Sequence, residues 1–347
     1  MRTVFQRVKL FEPTHPNRAT RLFGGECSGL LNWDDIGYPV FYEIYKVLRN
    51  NFWIPEEVSM NEDRNQWLRL KPNEQEAFRK VIGLLSVLDS IQTRFVFEIA
   101  RYASDSAVHA ICANISNMES IHNQSYSYIL SSLTPKHEQA GILNLAKNDP
   151  VVIRRNQLVL DLYQAFVDNP TPETTMRALV ANTILEGINF TLGFAFFYSL
   201  AHRGLMLGTS TIIEFIQRDE TQHAYFFALL FRILMTEYPE LNTEENVRWV
   251  VKTIDEAVRL EIEWSRYALH ELDHIDLYEF EQYVRYVANK RLRQLGLDNL
   301  YEGLGEGNNP MPWITAYDSV NNSKKDFFEQ KVNAYSKTAE TRGIEEL

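Results

Sequence analysis

An acid three residues before a histidine puts a carboxylate and an imidazole on one face of a helix, because three residues at 3.6 per turn return to within about 60°. Such a pair offers a divalent cation two ligands. With 46 acids and 8 histidines in 347 residues, chance supplies about one pair of this kind. The sequence has four: Glu12/His15, Glu119/His122, Glu220/His223 and Glu271/His274. Glu12 is followed by Pro13 in an irregular stretch, and Glu271/His274 lies in the charged run HELDHID at a helix end, so both read as solvated surface. The other two sit inside long, apolar-flanked segments, NMESIH and RDETQH.

Each of those two is preceded by a segment with a lone acid in apolar company, Asp89 in LLSVLDSIQ and Glu186 in VANTILEGINF. The spacing nearly repeats: Asp89 precedes Glu119 by 30 residues and Glu186 precedes Glu220 by 34. Two helix pairs, each giving one carboxylate plus one Glu-x-x-His, build a cage of four carboxylates and two imidazoles, the arrangement of ferritin-like di-iron and di-manganese bundles. Four negative charges offset two divalent ions, and carboxylate with imidazole suits Fe and Mn. Without cations, burying four carboxylates would be prohibitive. Tyr126 lies seven residues after Glu119 and four after His122, which places its phenol just beyond the cage. In a chain with 17 tyrosines, that geometry alone fits a packed core tyrosine more often than a redox site.

The elements that must carry these residues are helices. After Gly83 neither Gly nor Pro appears until Pro135, and between Gly208 and Gly296 there is only Pro239. Gaps of this length suit long helices and not sheets with frequent turns. Leu84, Leu85, Leu88, Ile91, Phe95 and Ile99 form one stripe, and Ile213, Ile216, Tyr225, Leu229 and Leu230 join another. Asn73, Thr171-Pro172 and Thr243 mark helix starts. The pattern predicts helices near 39–50, 73–102, 105–131, 151–168, 172–202, 209–237, 243–271 and 276–296. The expected class is all-α: a ferritin-like bundle over 39–318 with a di-metal carboxylate site in its core, an irregular arm over 1–38, and a flexible tail over 319–347.

Composition narrows the function. Lys plus Arg is 35 against 46 acids, a net charge of −11 with pI near 5.3, which argues against a nucleic-acid or anionic-membrane partner. Two cysteines, Cys27 and Cys112, leave no disulfide scaffold and no CxxC site. The start, MRTVFQRVKL, has no apolar signal-peptide core, and the most apolar stretch, 188–207, is broken by Asn189, His202 and Arg203; the expected location is the cytoplasm. No GxxxxGK loop occurs, and the glycines at 303, 305 and 307 follow a helix and lead into NNPMPW, so they are not a dinucleotide fingerprint.

MESIHNQSY, together with VLDSIQ, ILEGINF, RDETQH, the early NNFWIPEEV and NPMPWI at 309–314, resembles the class I ribonucleotide reductase small (β) subunit, with the motifs in that family's order over most of the chain. The resemblance implies metal ligands at Asp89, Glu119, His122, Glu186, Glu220 and His223, a stable-radical tyrosine at Tyr126, and a relay through Trp53 and Asp219. It places Phe190, Phe194 and Ile216 in the apolar pocket that shields the radical. In the tail it matches Glu329, and Tyr335 as a relay tyrosine. An acid at 219 also has a physical use, because it could bond the free nitrogen of His122. The implied cofactor is a pair of metal ions, iron first and manganese second, with a tyrosyl radical on Tyr126. The implied partners are a second copy of the chain and a large (α) subunit that binds the tail, holds the substrate site and reduces ribonucleotides to deoxyribonucleotides. The presence of all four carboxylates disfavours metal-free variants, and Asp89, rather than glutamate, resembles the tyrosyl-radical groups more than the mixed manganese–iron group. Another di-metal oxidase of the same superfamily, acting on its own bound ligand, remains the alternative.

Overall fold

A computed structural model describes residues 3–318. The Gly- and Pro-poor stretches form long helices: α1 Val40–Asn50, α2 Asn61–Trp67, α3 Pro72–Ala100, α4 Ser106–Leu133, α5 Lys136–Asn148, α6 Pro150–Asp168, α7 Pro172–Ile184, α8 Thr191–His202, α9 Leu207–Glu237, α10 Glu244–Leu269, α11 Leu277–Gln294 and the short α12 Thr315–Asp318. Among the described residues there is no β-strand, only an isolated antiparallel bridge between Phe23 and Ala103. The class is all-α, a ferritin-like bundle in which α3 packs on α4 and α7 on α9.

Local chemistry sets the helix starts. Asp105 caps α4 by accepting from the Ala107 N–H at 2.7 Å, and Thr171 and Thr243 cap α7 and α10. α3 begins at Pro72, one residue before the expected start, and Glu74 reaches back to the Lys71 N–H at 2.9 Å. Residues 3–39 contain no helix, yet they are tied to the bundle: Phe5 N–H donates to Pro170 O, Ser104 N–H donates to Leu22 O, and Phe23 is fully buried.

Three features depart from the expected helices. α2 and α5 were not anticipated. Both are polar, with only Asp63 and Trp67 buried in the first and Ile142 and Ala146 in the second, so neither carries an apolar stripe to be read. The single helix expected over 172–202 is two helices joined by a π turn, Leu185–Asn189. An apolar run cannot show this, because an extra residue in one turn leaves composition unchanged. By length and composition the span Pro172–His202 could cross a membrane, but 94% of its most apolar window is buried inside the protein; it is the central core element.

α2 also explains how α9 begins. The residue before α9, Met206, has left-handed backbone (φ +56°) and gives no side-chain cap. Asp63 of α2 supplies it from across the fold, accepting from the Gly208 and Thr209 N–H groups at 2.9 and 2.7 Å and from the Thr209 hydroxyl at 2.7 Å.

Candidate metal centre

α3 contributes Asp89, α4 contributes Glu119, His122 and Tyr126, the π turn contributes Glu186, and α9 contributes Asp219, Glu220 and His223. Their side chains fall into two groups, Asp89/Glu119/His122/Glu220 and Glu119/Glu186/Glu220/His223, within each of which the ligand-capable atoms lie within 4.8 Å of one another. Glu119 and Glu220 belong to both, so each can offer one oxygen to either ion. This is a di-metal carboxylate site. Glu12/His15 and Glu271/His274 belong to neither group. His274 is nonetheless not fully solvated as expected: it is half-buried, 3.7 Å from Glu74.

The donor set fits cations. Both oxygens of Asp89 and of Glu119, together with His122 Nδ1, Glu186 Oε2 and Glu220 Oε1, are buried without an aligned hydrogen-bond partner. Polar atoms left so in a core cost free energy unless something binds them. His122 Nδ1 lies 2.9 Å from Glu220 Oε1, and His223 Nδ1 lies 2.9 Å from both Glu119 and Glu220, so both imidazoles turn the same nitrogen toward the carboxylates.

Protonation responds to this crowding. Burial, then Glu119 and Glu220, push Asp89 well above the usual carboxylate range; burial, then Glu220 and Glu119, do the same to Glu186. Burial opposes charge on the imidazoles, but the surrounding acids together outweigh it: Glu220, Asp219 and Glu119 raise His122 well above its usual value, and Glu220 and Glu119 raise His223 to about 9. Glu220 is held below the usual range, since His122 and His223 overcome its burial.

Tyr126 is fully buried. Its hydroxyl sits beside Asp89 without the alignment of a made hydrogen bond, and burial, then Asp89, push its ionisation far up. On the other side of His122, Asp219 Oδ2 lies 3.3 Å from Nε2 and accepts from the Trp53 indole N–H at 2.8 Å. Trp53 is itself buried and stacks on His122 at 6.2 Å. Trp53, Asp219 and His122 therefore form one continuous chain. Phe190 and Phe194 stack at 5.3 Å and, like Ile216, are buried; the two phenylalanines line a cavity of about 470 Å³ that reaches Glu186 and Glu220. Glu329 and Tyr335 lie outside the described residues.

Several residues in this environment were not read from sequence. Gln92 donates to Glu186 and accepts from the Tyr163 hydroxyl at 2.9 Å. A signal for it existed, because Gln92 stands three residues after Asp89 and so shares its helix face. Arg218 bonds Asp219 at 3.2 Å and also donates to the Asn51 carbonyl; adjacency to Asp219 was its only mark.

Comparison with known proteins agrees with this geometry. The family model "Ribonucleotide reductase, small chain" matches residues 30–310. The ribonucleoside-diphosphate reductase subunit beta of Halalkalibacterium halodurans is 45% identical over 99% of both chains. The ribonucleotide reductase R2 subunit of Clostridium botulinum is 34% identical, with a TM-score of 0.87 over 91% of this chain and 99% of that one. The dimanganese(II)-NrdF of Streptococcus sanguinis, at 24% identity and a TM-score of 0.75 over 83% of this chain and 98% of that one, shares the fold. With a family model spanning most of its length and a relative 45% identical throughout, the chain belongs to the ribonucleotide reductase small-chain family.

Proposed function

We propose that this chain is the radical-generating small subunit of a ribonucleoside-diphosphate reductase. Asp89, Glu119, His122, Glu186, Glu220 and His223 would hold two metal ions, iron or manganese, with Glu119 and Glu220 shared between them. When bound, the pair supplies oxidising equivalents drawn from oxygen or a related oxidant. Tyr126, whose hydroxyl lies beside Asp89, is the residue that would store the radical, protected from reductants by complete burial. Asp219 orients His122 and joins it to Trp53, which offers a hydrogen-bonded route outward. Tyr335 in the tail is the next relay toward a large subunit, where the ribonucleotide is reduced. Membership of the small-chain family supports the need for that partner, and a homodimer in the cytoplasm is the form expected.

The observation that carries this reading is the buried Tyr126 hydroxyl beside Asp89, at the edge of two ligand groups that share two carboxylates. The cavity reaching Glu186 and Glu220 is what a ligand-binding oxidase would need, but its lining includes Gln217, Thr221, Lys290 and Arg291, which suits water and small polar species more than an apolar ligand. Aerobic reconstitution with Fe(II) is expected to give a tyrosyl-type electron paramagnetic resonance signal, absent in Tyr126→Phe at unchanged metal content. Persistence of the signal in that variant would remove Tyr126 from the mechanism.

A further inference from the structure

The π turn that carries Glu186 interrupts the backbone ladder of the buried span Pro172–His202, and its freed groups must be satisfied by other elements. Three helices supply charged side chains for this. Arg291 of α11 donates from Nε to the Gly187 carbonyl at 3.1 Å. Arg155 of α6 donates to the Asn189 carbonyl. Glu261 of α10 accepts from the Leu192 N–H at 3.4 Å and from Arg155 Nε at 2.7 Å. Arg155 and Glu261 are almost wholly buried, and the guanidinium lies over the Trp264 ring at 5.3 Å.

Sequence is matched to this contact at Gly187. A Cβ there would stand 2.4 Å from Arg291 Nε and 2.6 Å from its Cδ, so only glycine lets the arginine reach the carbonyl next to Glu186. A buried Arg–Glu pair is costly and gives no packing that apolar residues would not give better. Its value here is geometric, since Arg155 is spent on the last carbonyl of the turn and Glu261 on the Leu192 N–H in the first turn of α8.

We propose that Arg291 and the Arg155–Glu261 pair are positioning residues for Glu186. By gripping carbonyls one residue and three residues after it, they fix the height and rotation of the turn, so that its carboxylate meets Glu119, Glu220 and His223 at the second metal position. The proposal rests on Glu186 being a ligand of that second ion. Asp89, at the other position, stands on unbroken α3 and has no such dependence.

The test is anaerobic titration of the full-length protein with Mn(II), following the free-ion resonance signal and the signal of the coupled pair. Wild type, Arg291→Met, Arg291→Lys and Gly187→Ala are compared, with thermal unfolding of each metal-free protein. Gly187→Ala displaces the arginine without removing it, so the two routes to the same lesion check one another. Expected in Arg291→Met and Gly187→Ala is one ion bound as in wild type, a second weakened at least tenfold, and an isolated-ion signal in place of the coupled one. Arg291→Lys, which keeps one donor, should recover part of the second site. Wild-type affinity at both positions in the folded variants would overturn the proposal, as would equal weakening of both. Wild type binding fewer than two ions would instead overturn the reading of the site itself, and this inference with it.

Discussion

At the residue scale, four of the six candidate ligands hold their protons more tightly than they would in water. Asp89, Glu186, His122 and His223 all have their proton affinity raised, so each keeps its proton to a higher pH than it would in water. Metal ligation requires neutral imidazole and ionised carboxylate. Loading must therefore expel protons, and competition from protons strengthens as pH falls. The expected result is release of more than about one proton per ion and an affinity for Mn(II) at least tenfold weaker at about pH 6 than at about pH 8. Calorimetry in buffers of different ionisation enthalpy would check it, and a pH-independent affinity would contradict it. The clustering of these six residues was legible in the sequence because Glu119/His122 and Glu220/His223 mark their own helix faces, and Asp89 and Glu186 stand out as lone acids in apolar runs. Asp219 was legible only through family resemblance. Its value comes from Trp53, 166 residues away, and no local pattern encodes such a contact.

At the element scale, what could be read was the amphipathic long helices, and what could not was their termini and breaks. The stripe over Leu84 to Ile99 predicts α3 because it faces the core on every turn. α2 has no stripe, since its work is polar: Asp63 lends its carboxylate to the start of α9. That cap has a measurable consequence. Asp63 accepts two backbone N–H groups and a hydroxyl with little access to water, so Asp63→Ala leaves three buried or half-buried donors unpaired. Loss of an N-terminal cap costs about 1–2 kcal/mol, and charged hydrogen bonds raise that figure. Asp63→Ala should destabilise the protein by about 2–3 kcal/mol, visible as a lower Tm. Because α9 carries Asp219, Glu220 and His223 near its middle and not at its first turn, metal stoichiometry should be unchanged. Asp63→Asn, which keeps an acceptor, should lose less; equal loss in the two variants would show that the capping bonds are not the cause. The π turn makes the complementary point, because a run that reads as one apolar helix is broken at the residue whose carboxylate joins Glu119, Glu220 and His223.

At the scale of the whole molecule, the chain can hold an oxidant but is poorly equipped for the reduction it serves. Of its two cysteines, Cys112 is buried with its thiol pushed up to about 12 by burial, which keeps it protonated and inert. Cys27 is half-buried, its Sγ 3.2 Å from the Asn17 carbonyl oxygen, far from the role of a paired redox thiol. The four carboxylates of the site account for only part of the net charge of −11. Membership of the small-chain family implies a large-subunit partner, and on the proposed reading a hole stored on Tyr126 would have to leave the bundle to reach it. The hydrogen-bonded chain from His122 through Asp219 reaches Trp53, and the remaining aromatic assigned to the route, Tyr335, lies in the tail outside the described residues. Ending the chain after Ala334 should separate the two halves of the function: metal content and the tyrosyl signal stay as in the full-length protein, while turnover with the large subunit falls to background. Tyr335→Phe keeps the tail and its affinity but removes the oxidisable hydroxyl, so it should bind the large subunit normally and be equally inactive. Turnover retained in Tyr335→Phe would leave the tail as a docking segment only and require the radical to exit by another residue.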